Sequence, residues 1–300
     1  MKDNPKIVRA VAKTWKSQPT VEGAGVHLQR AFGFAQAPKL DPFLLLDAFR
    51  SENPEDYKRG FPWHPHRGIE TITYLLDGEV EHGDSLGNRG VIAAGEVQWM
   101  TAGSGIIHQE MPRGDGKGQM WGFQLWANLP KRDKMMAPRY RELKAHQIPQ
   151  VLTATGAVVK VVSGEIDGVV GPVREIVIDP EFFDVSVPAG KSFRHPTKPD
   201  HTVFAYVIDG EGYFDPRATE NPSESTGAGP LGEGAVVLYG AGSEIVVSTG
   251  PKAVRFLLVS GRPLNEPIAW HGPIVMNSQA ELRLAFEEYQ RGTFVKHGRA

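Results

Sequence analysis

Apolar and polar residues alternate over short spans along most of this chain, and stretches with helical spacing are few. Residues 70–76 are rich in β-branched and aromatic side chains and run into Asp77-Gly78, a pair that favours a tight hairpin turn. Leu86-Gly87-Asn88-Arg89-Gly90 reads as a second turn. Further strands are predicted over residues 158–162, 174–178, 203–208, 235–239, 245–247 and 254–259. Many short strands at short spacing predict an all-β sandwich or barrel. One helix is expected, near the end. Ser278-Gln279-Ala280-Glu281 is a capping-box pattern, Leu282, Leu284, Ala285, Phe286 and Tyr289 follow with partly helical spacing, and Gly292 can close it.

The pattern also repeats. Tyr74-Leu75-Leu76-Asp77-Gly78-Glu79 recurs as Tyr206-Val207-Ile208-Asp209-Gly210-Glu211, 132 positions later. Gly95-Glu96-Val97 and Ala102-Gly103-Ser104 recur as Gly234-Ala235-Val236 and Ala241-Gly242-Ser243, 139 positions later. The order is kept, and the extra residues fit into the Ser/Gly/Pro-rich stretch 221–230, which reads as a loop. A duplicated β domain is therefore expected, with the boundary in residues 135–150. The division this suggests is 1–145 and 146–300, with the helix in the second half.

Composition narrows the chemistry. Three hundred residues suit two domains, and a formal net charge of −2 gives no argument for nucleic acid or a membrane surface as partner. The chain has no cysteine, so a disulfide framework is excluded and any metal must be held by histidine and carboxylate. No run approaches the roughly 18 apolar residues of a membrane span. The first residues lack the apolar core of a signal peptide, so a cytoplasmic location is expected.

Within that frame the segment from Phe61 to Pro112 stands out. It carries His64-Pro65-His66 and, further on, His108-Gln109-Glu110. Residues two apart on a strand face the same way, so each pair can address one point. If the two segments are neighbouring strands, His64, His66, His108 and Glu110 converge. Three imidazoles and a carboxylate suit a divalent iron, manganese, nickel, copper or zinc ion, and leave one or two positions for oxygen or a chelating substrate. A lone H-x-H is a weak signal and is more often a pair of ordinary surface or satisfied histidines. The second pair, H-x-E, is what makes the reading specific. Glu70 shares the parity of the histidines if the strand is regular, and its role as ligand is left open. Gln124, Arg67 and Asp47 are candidates to support ligands or substrate, and His82 reads as surface or pocket rim. Trp63, Trp99, Met100, Trp121, Phe123 and Trp126 are expected mostly in the core, some lining an apolar pocket.

Carrying the two offsets into the second half sets Pro196, Lys198 and Thr202 against His64, His66 and Glu70, and Val247 and Thr249 against His108 and Glu110. None suits a transition metal, so the second domain is expected to be metal-free. No P-loop, dinucleotide fingerprint or nucleophile elbow is present.

Several of these motifs resemble the pirin family of the cupin superfamily. They are His64-Pro65-His66-Arg67-Gly68, Asp84-Ser85-Leu86-Gly87-Asn88-Arg89-Gly90, the run Gln98 to His108, Gln124-Leu125-Trp126, Gly261-Arg262-Pro263-Leu264-Asn265-Glu266-Pro267 and Trp270-His271-Gly272-Pro273. The resemblance implies two tandem cupin barrels (a bicupin) and one Fe(II) site in the first, with the ligands falling on His64, His66, His108 and Glu110. Cupins at large use a glutamate where Glu70 stands, whereas the pirin-like pattern takes its carboxylate from H-x-E. The implied activity is that of a quercetin 2,3-dioxygenase, cleaving flavonols with O2; for that reaction Glu110 is expected to serve as both ligand and proton acceptor. The alternative it implies is an iron-dependent, redox-sensing regulator that acts by binding another protein.

Overall fold

A computed structural model of the chain describes residues 7–215 and 229–297, so most of the loop expected at 221–230 lies outside the described residues. Strands take 52% of the chain and helices 8%, which makes the fold all-β. The chain forms two compact units. The first barrel comprises Gln18–Gln147 together with the C-terminal segment from Leu264, and the second comprises Ile148–Pro263 together with the N-terminal segment up to Ser17. The sequence-based division at 145 kept each half contiguous. The mid-chain change of unit falls at Gln147, but both termini cross over. At the N-terminus Val11–Lys16 adds an antiparallel strand to Ala235–Tyr239, with Trp15 opposite Val236. At the C-terminus the amide of Val275 donates to the carbonyl of Arg67 at 3.1 Å, which ties the last segment to the first barrel. The C-terminal helix accordingly belongs to the first barrel, not the second.

In the first barrel a seven-stranded sheet runs in the order Arg139–Leu143, Val97–Thr101, Ile69–Asp77, Met120–Asn128, Phe43–Ser51, Val26–Phe32, Gln18–Glu22. A four-stranded sheet runs Phe61–His66, Ile106–Arg113, Glu79–Asp84, Arg89–Ile92. The second barrel repeats the plan. Thr202–Gly212 lies between Ala235–Tyr239 and Val254–Gly261, as Ile69–Asp77 lies between Val97–Thr101 and Met120–Asn128. The repeated Tyr-x-x-Asp-Gly-Glu motif thus marks equivalent central strands. Among the described residues, the second barrel's small sheet is Ser192–Pro196 paired with Glu244–Ser248. Alternation builds the core: Phe183, Val185 and Val187, Val203, Ala205 and Val207 and, on the strand between them, Phe256 turn inward from one sheet and cluster with Phe193 and Phe214. Each large side chain so buried contributes roughly 1.5–3 kcal/mol.

One predicted strand is absent. Residues 174–178 form no ladder, because Glu175 (φ 60°) and Asp179 (φ 51°) adopt left-handed backbone that breaks extension. Ile176 and Ile178 are nevertheless buried, so their spacing reported burial and not a strand. The predicted helix is Gln279–Gln290. The Ser278 side chain accepts from the amide of Glu281, Glu281 reaches back to the amide of Asn277, and Leu282 and Ala285 face inward. Among the described residues no helix is long and apolar enough to cross a membrane.

Candidate metal centre

Two adjacent strands build the centre. Phe61–His66 pairs antiparallel with Ile106–Arg113 so that His64 stands directly opposite His108 and His66 opposite Ile106. The strand pairing expected from the sequence is therefore present, and it brings three imidazoles together. Nitrogens of His64, His66 and His108 all lie within 4.8 Å of one another. His64 is half-exposed, while His66 and His108 are buried.

The hydrogen bonds fix which nitrogens face inward. His64 Nδ1 is 2.8 Å from the carbonyl of Pro62, and His66 Nδ1 is 3.0 Å from the carbonyl of Pro273. A carbonyl only accepts, so both Nδ1 atoms carry the proton and both Nε2 atoms present lone pairs. Those two Nε2 atoms face each other at 3.1 Å. Two lone pairs at that distance call for a proton or a metal cation between them. Two metal–nitrogen bonds of ~2.1 Å at right angles place their donors about 3 Å apart, which matches the spacing found. His108 adds two buried ring nitrogens without any hydrogen-bond partner. Burial and the neighbouring imidazoles hold His66 and His108 well below the usual histidine pKa, so both are neutral and free to donate at pH 7. The residues present fit a divalent transition metal.

Glu110 stands outside the three-histidine group. A register shift between His108 and Glu110 turns the strand, and the buried carboxylate accepts from the Thr73 hydroxyl at 3.0 Å and the Gln124 amide at 2.8 Å. Each oxygen keeps a further lone pair. Glu70 lies elsewhere: it accepts from the Thr101 hydroxyl at 2.6 Å and is 3.9 Å from Arg139. Its shared parity with the histidines fails because the strand is interrupted. Gly68 takes φ +78°, and a Cβ there would sit 1.9 Å from the Val275 carbonyl, so the chain turns into a different sheet before Glu70.

The other candidates divide. Gln124 supports Glu110. Arg67 points away, paired with Glu288 at 2.7 Å and lying over the ring of Phe294. Asp47 is held bidentately by Arg30 at 2.8 and 2.7 Å, and burial pushes its carboxyl up against the opposing pull of that guanidinium. Trp99, Met100 and Phe123 are core, whereas Trp63 is exposed. His82, read from the sequence as rim, is buried, with its ring centroid 5.4 Å from that of His108. It sits on the inward parity of Glu79–Asp84 with Val80, a signal the sequence did contain. Pro273 and Trp270 had no such signal, since they arrive from the distant C-terminus.

A cavity of about 760 Å³ opens in front of His64 and His66. It is lined by Trp126, Trp270 and Phe34 and by the Arg30–Asp47 pair. The Trp126 ring stands edge-on to His66 at 5.0 Å, Trp270 is 6.0 Å from Trp126, and Phe34 is 5.5 Å from Trp270.

In the second barrel the register differs from the sequence-based offsets. His195 is opposite Ile245 and Phe193 opposite Val247, just as His66 is opposite Ile106 and His64 opposite His108. The counterparts of His64 and His66 are thus Phe193 and His195, not Pro196 and Lys198. The offset drifts by three residues between the small-sheet strand and the central strand. His195 Nε2 pairs with Glu181 at 3.1 Å, and Glu181 also accepts from Ser260 at 2.7 Å.

The chain matches the family profile described as Pirin over residues 25–127 and that of the Pirin C-terminal cupin domain over residues 182–295. A pirin-like protein of Caulobacter vibrioides is 43% identical over 288 residues, spanning 96% of this chain and 99% of its own length. A Pseudomonas aeruginosa protein named as a candidate quercetin 2,3-dioxygenase is 40% identical over 289 residues, spanning 95% and 97%. The crystal structure of a quercetin 2,3-dioxygenase from Acinetobacter baumannii superimposes with a TM-score of 0.84 at 30% identity, covering 96% of this chain and 98% of that one.

Proposed function

This chain belongs to the pirin family, a bicupin family, and we propose that it is a metal-dependent dioxygenase that cleaves flavonols such as quercetin. His64, His66, His108 and Glu110 hold the metal in the first barrel, and the metal is Fe(II). The observation that carries this reading is the facing pair of imidazole Nε2 atoms of His64 and His66, grouped with His108, on the wall of a cavity lined with aromatic rings. The quercetin 2,3-dioxygenase name of a structure that superimposes along nearly the whole chain supports the choice of reaction.

A ferrous ion supplies Lewis acidity towards the flavonol 3-hydroxyl and 4-carbonyl and redox chemistry towards O2. The protein supplies the rest. Trp126, Trp270 and Phe34 give planar rings an apolar wall, and the Arg30–Asp47 pair, which lines the same cavity, meets phenolic hydroxyls. Glu110 takes the 3-hydroxyl proton, with Thr73 and Gln124 keeping its carboxylate oriented. Overall, flavonol and O2 become a ring-opened ester and carbon monoxide. Both atoms of O2 enter the ester, so no external reductant is consumed. The second barrel, with Phe193, Val247 and Thr249 where His64, His108 and Glu110 stand, binds no metal.

The test is turnover by iron-loaded protein. Quercetin should be consumed with O2 uptake and carbon monoxide release in equal amounts. Iron-loaded protein that binds quercetin yet releases no carbon monoxide would overturn the assignment.

A further inference from the structure

Two of the three imidazoles have their outer nitrogens tied to backbone carbonyls, but His108 does not. It is fully buried, and neither ring nitrogen has a hydrogen-bond partner. An imidazole that gives one nitrogen to a metal keeps its proton on the other, and a buried N–H without an acceptor is costly.

The ring placed to receive that proton is His82. In the ladder between Glu79–Asp84 and Ile106–Arg113, His108 is opposite Asp84 and Glu110 is opposite His82. His82 therefore lies diagonally beside His108. Their centroids are 5.4 Å apart at an interplanar angle of 54°; no hydrogen bond joins the two rings in this structure, and a turn of the rings at that separation brings a nitrogen of each within hydrogen-bond reach. His82 Nδ1 is also buried and without a partner. Its other nitrogen, Nε2, lies 3.2 Å from Asp84 Oδ2, so Nε2 carries the proton and Nδ1 is left as an acceptor. Further contacts hold Asp84 and the His82 ring in place. The Asp84 carboxylate accepts from the amides of Leu86 and Asn88 at 2.9 Å and from the Asn88 side chain at 2.8 Å, while Tyr140 stacks on the His82 ring at 4.8 Å. A buried histidine satisfied by its aspartate alone would leave two unpaired nitrogens side by side.

We infer that Asp84, His82 and His108 form a relay in which His82 Nδ1 accepts the outer N–H of His108, orienting that ligand and strengthening its donation to the metal. His82 is then a positioning residue, acting through His108. The inference rests on the metal reading of the site.

Substitution separates the two nitrogens of His82. Asparagine places an acceptor oxygen where Nδ1 stands, whereas glutamine reaches only to the position of Nε2. Full-length apo-protein is titrated with Co(II), reading affinity and the visible absorption bands, and apo-protein melting is recorded in parallel. His82→Gln and His82→Phe should bind Co(II) roughly 10–100-fold more weakly and shift the bands. His82→Asn should stay near wild type on both readouts. Should His82→Phe fail to fold, the Asn/Gln comparison still decides. A His82→Gln protein with wild-type affinity and bands would overturn the relay, as would affinities that simply follow the melting temperatures. Wild-type protein that takes up no Co(II) would remove the metal reading itself, and the relay with it.

Discussion

The side-chain amide of Gln124 donates to Glu110 at 2.8 Å while its carbonyl accepts the indole N–H of Trp126 at 3.0 Å. An indole only donates and a carboxylate only accepts, so the amide has one orientation available. Trp126 lines the cavity and stands against His66. Gln124 thereby links the cavity wall to the carboxylate assigned as base and ligand. Gln124→Ala should lower flavonol turnover about 10–100-fold with little change in melting temperature. Steady-state kinetics on metal-loaded protein check this; an unchanged kcat would remove Gln124 from the account.

Lys134 is a second lever, on stability. Its ammonium is buried and donates to the Gly68 carbonyl at 2.9 Å, the Asn128 side chain at 2.7 Å and the Val275 carbonyl at 3.0 Å. Burial pulls the group down to about 7, but three acceptors around one nitrogen each require a proton and favour the charged form. The three bonds pin the hairpin that carries Pro273, the partner of His66, to the turn that follows His66. Lys134→Met should cost about 2–3 kcal/mol in urea unfolding, since a buried acceptor is left unpaired. It should also weaken metal binding. A variant as stable as wild type would contradict this packing.

Acid sensitivity should trace in part to Glu181. Burial pushes its carboxyl up, but His195 and Ser260 outweigh that and hold it below the usual carboxylate range. A folded pKa below the unfolded one gives stability that is present above the unfolded value, near 4.3, and lost as pH falls through the folded value. Melting temperatures taken from pH 6 downward should therefore fall, and Glu181→Gln should flatten that fall. An identical pH profile in the variant would show that Glu181 contributes nothing to it.

Much of the centre was legible because strand periodicity is local. His64 and His66 announce a shared face through two-residue spacing alone, and His108 joins them; the register shift after His108 leaves Glu110 outside the three-histidine group. Glu70 misled for the same reason: parity cannot be carried across Gly68, where a positive φ moves the chain into another sheet. The second-half counterparts were misplaced because a constant offset preserves counting and not register, and only the pairing of His195 with Ile245 reveals the drift. The exchange of the termini was hidden, since Val11–Lys16 finds its partner strand more than two hundred residues away and no local pattern encodes that. His82 could have been found: Val80, His82 and Asp84 share the inward face of one short strand.

Metal stoichiometry tests the central claim most directly. Wild-type protein, loaded with Fe(II) and freed of excess, should hold one ion per chain by elemental analysis. His66→Ala removes one of the two facing lone pairs and should hold clearly less, while His195→Ala, at the matching register of the second barrel, should still hold one. Two ions in the wild type, or full occupancy in His66→Ala, would contradict a single site built on His64, His66 and His108.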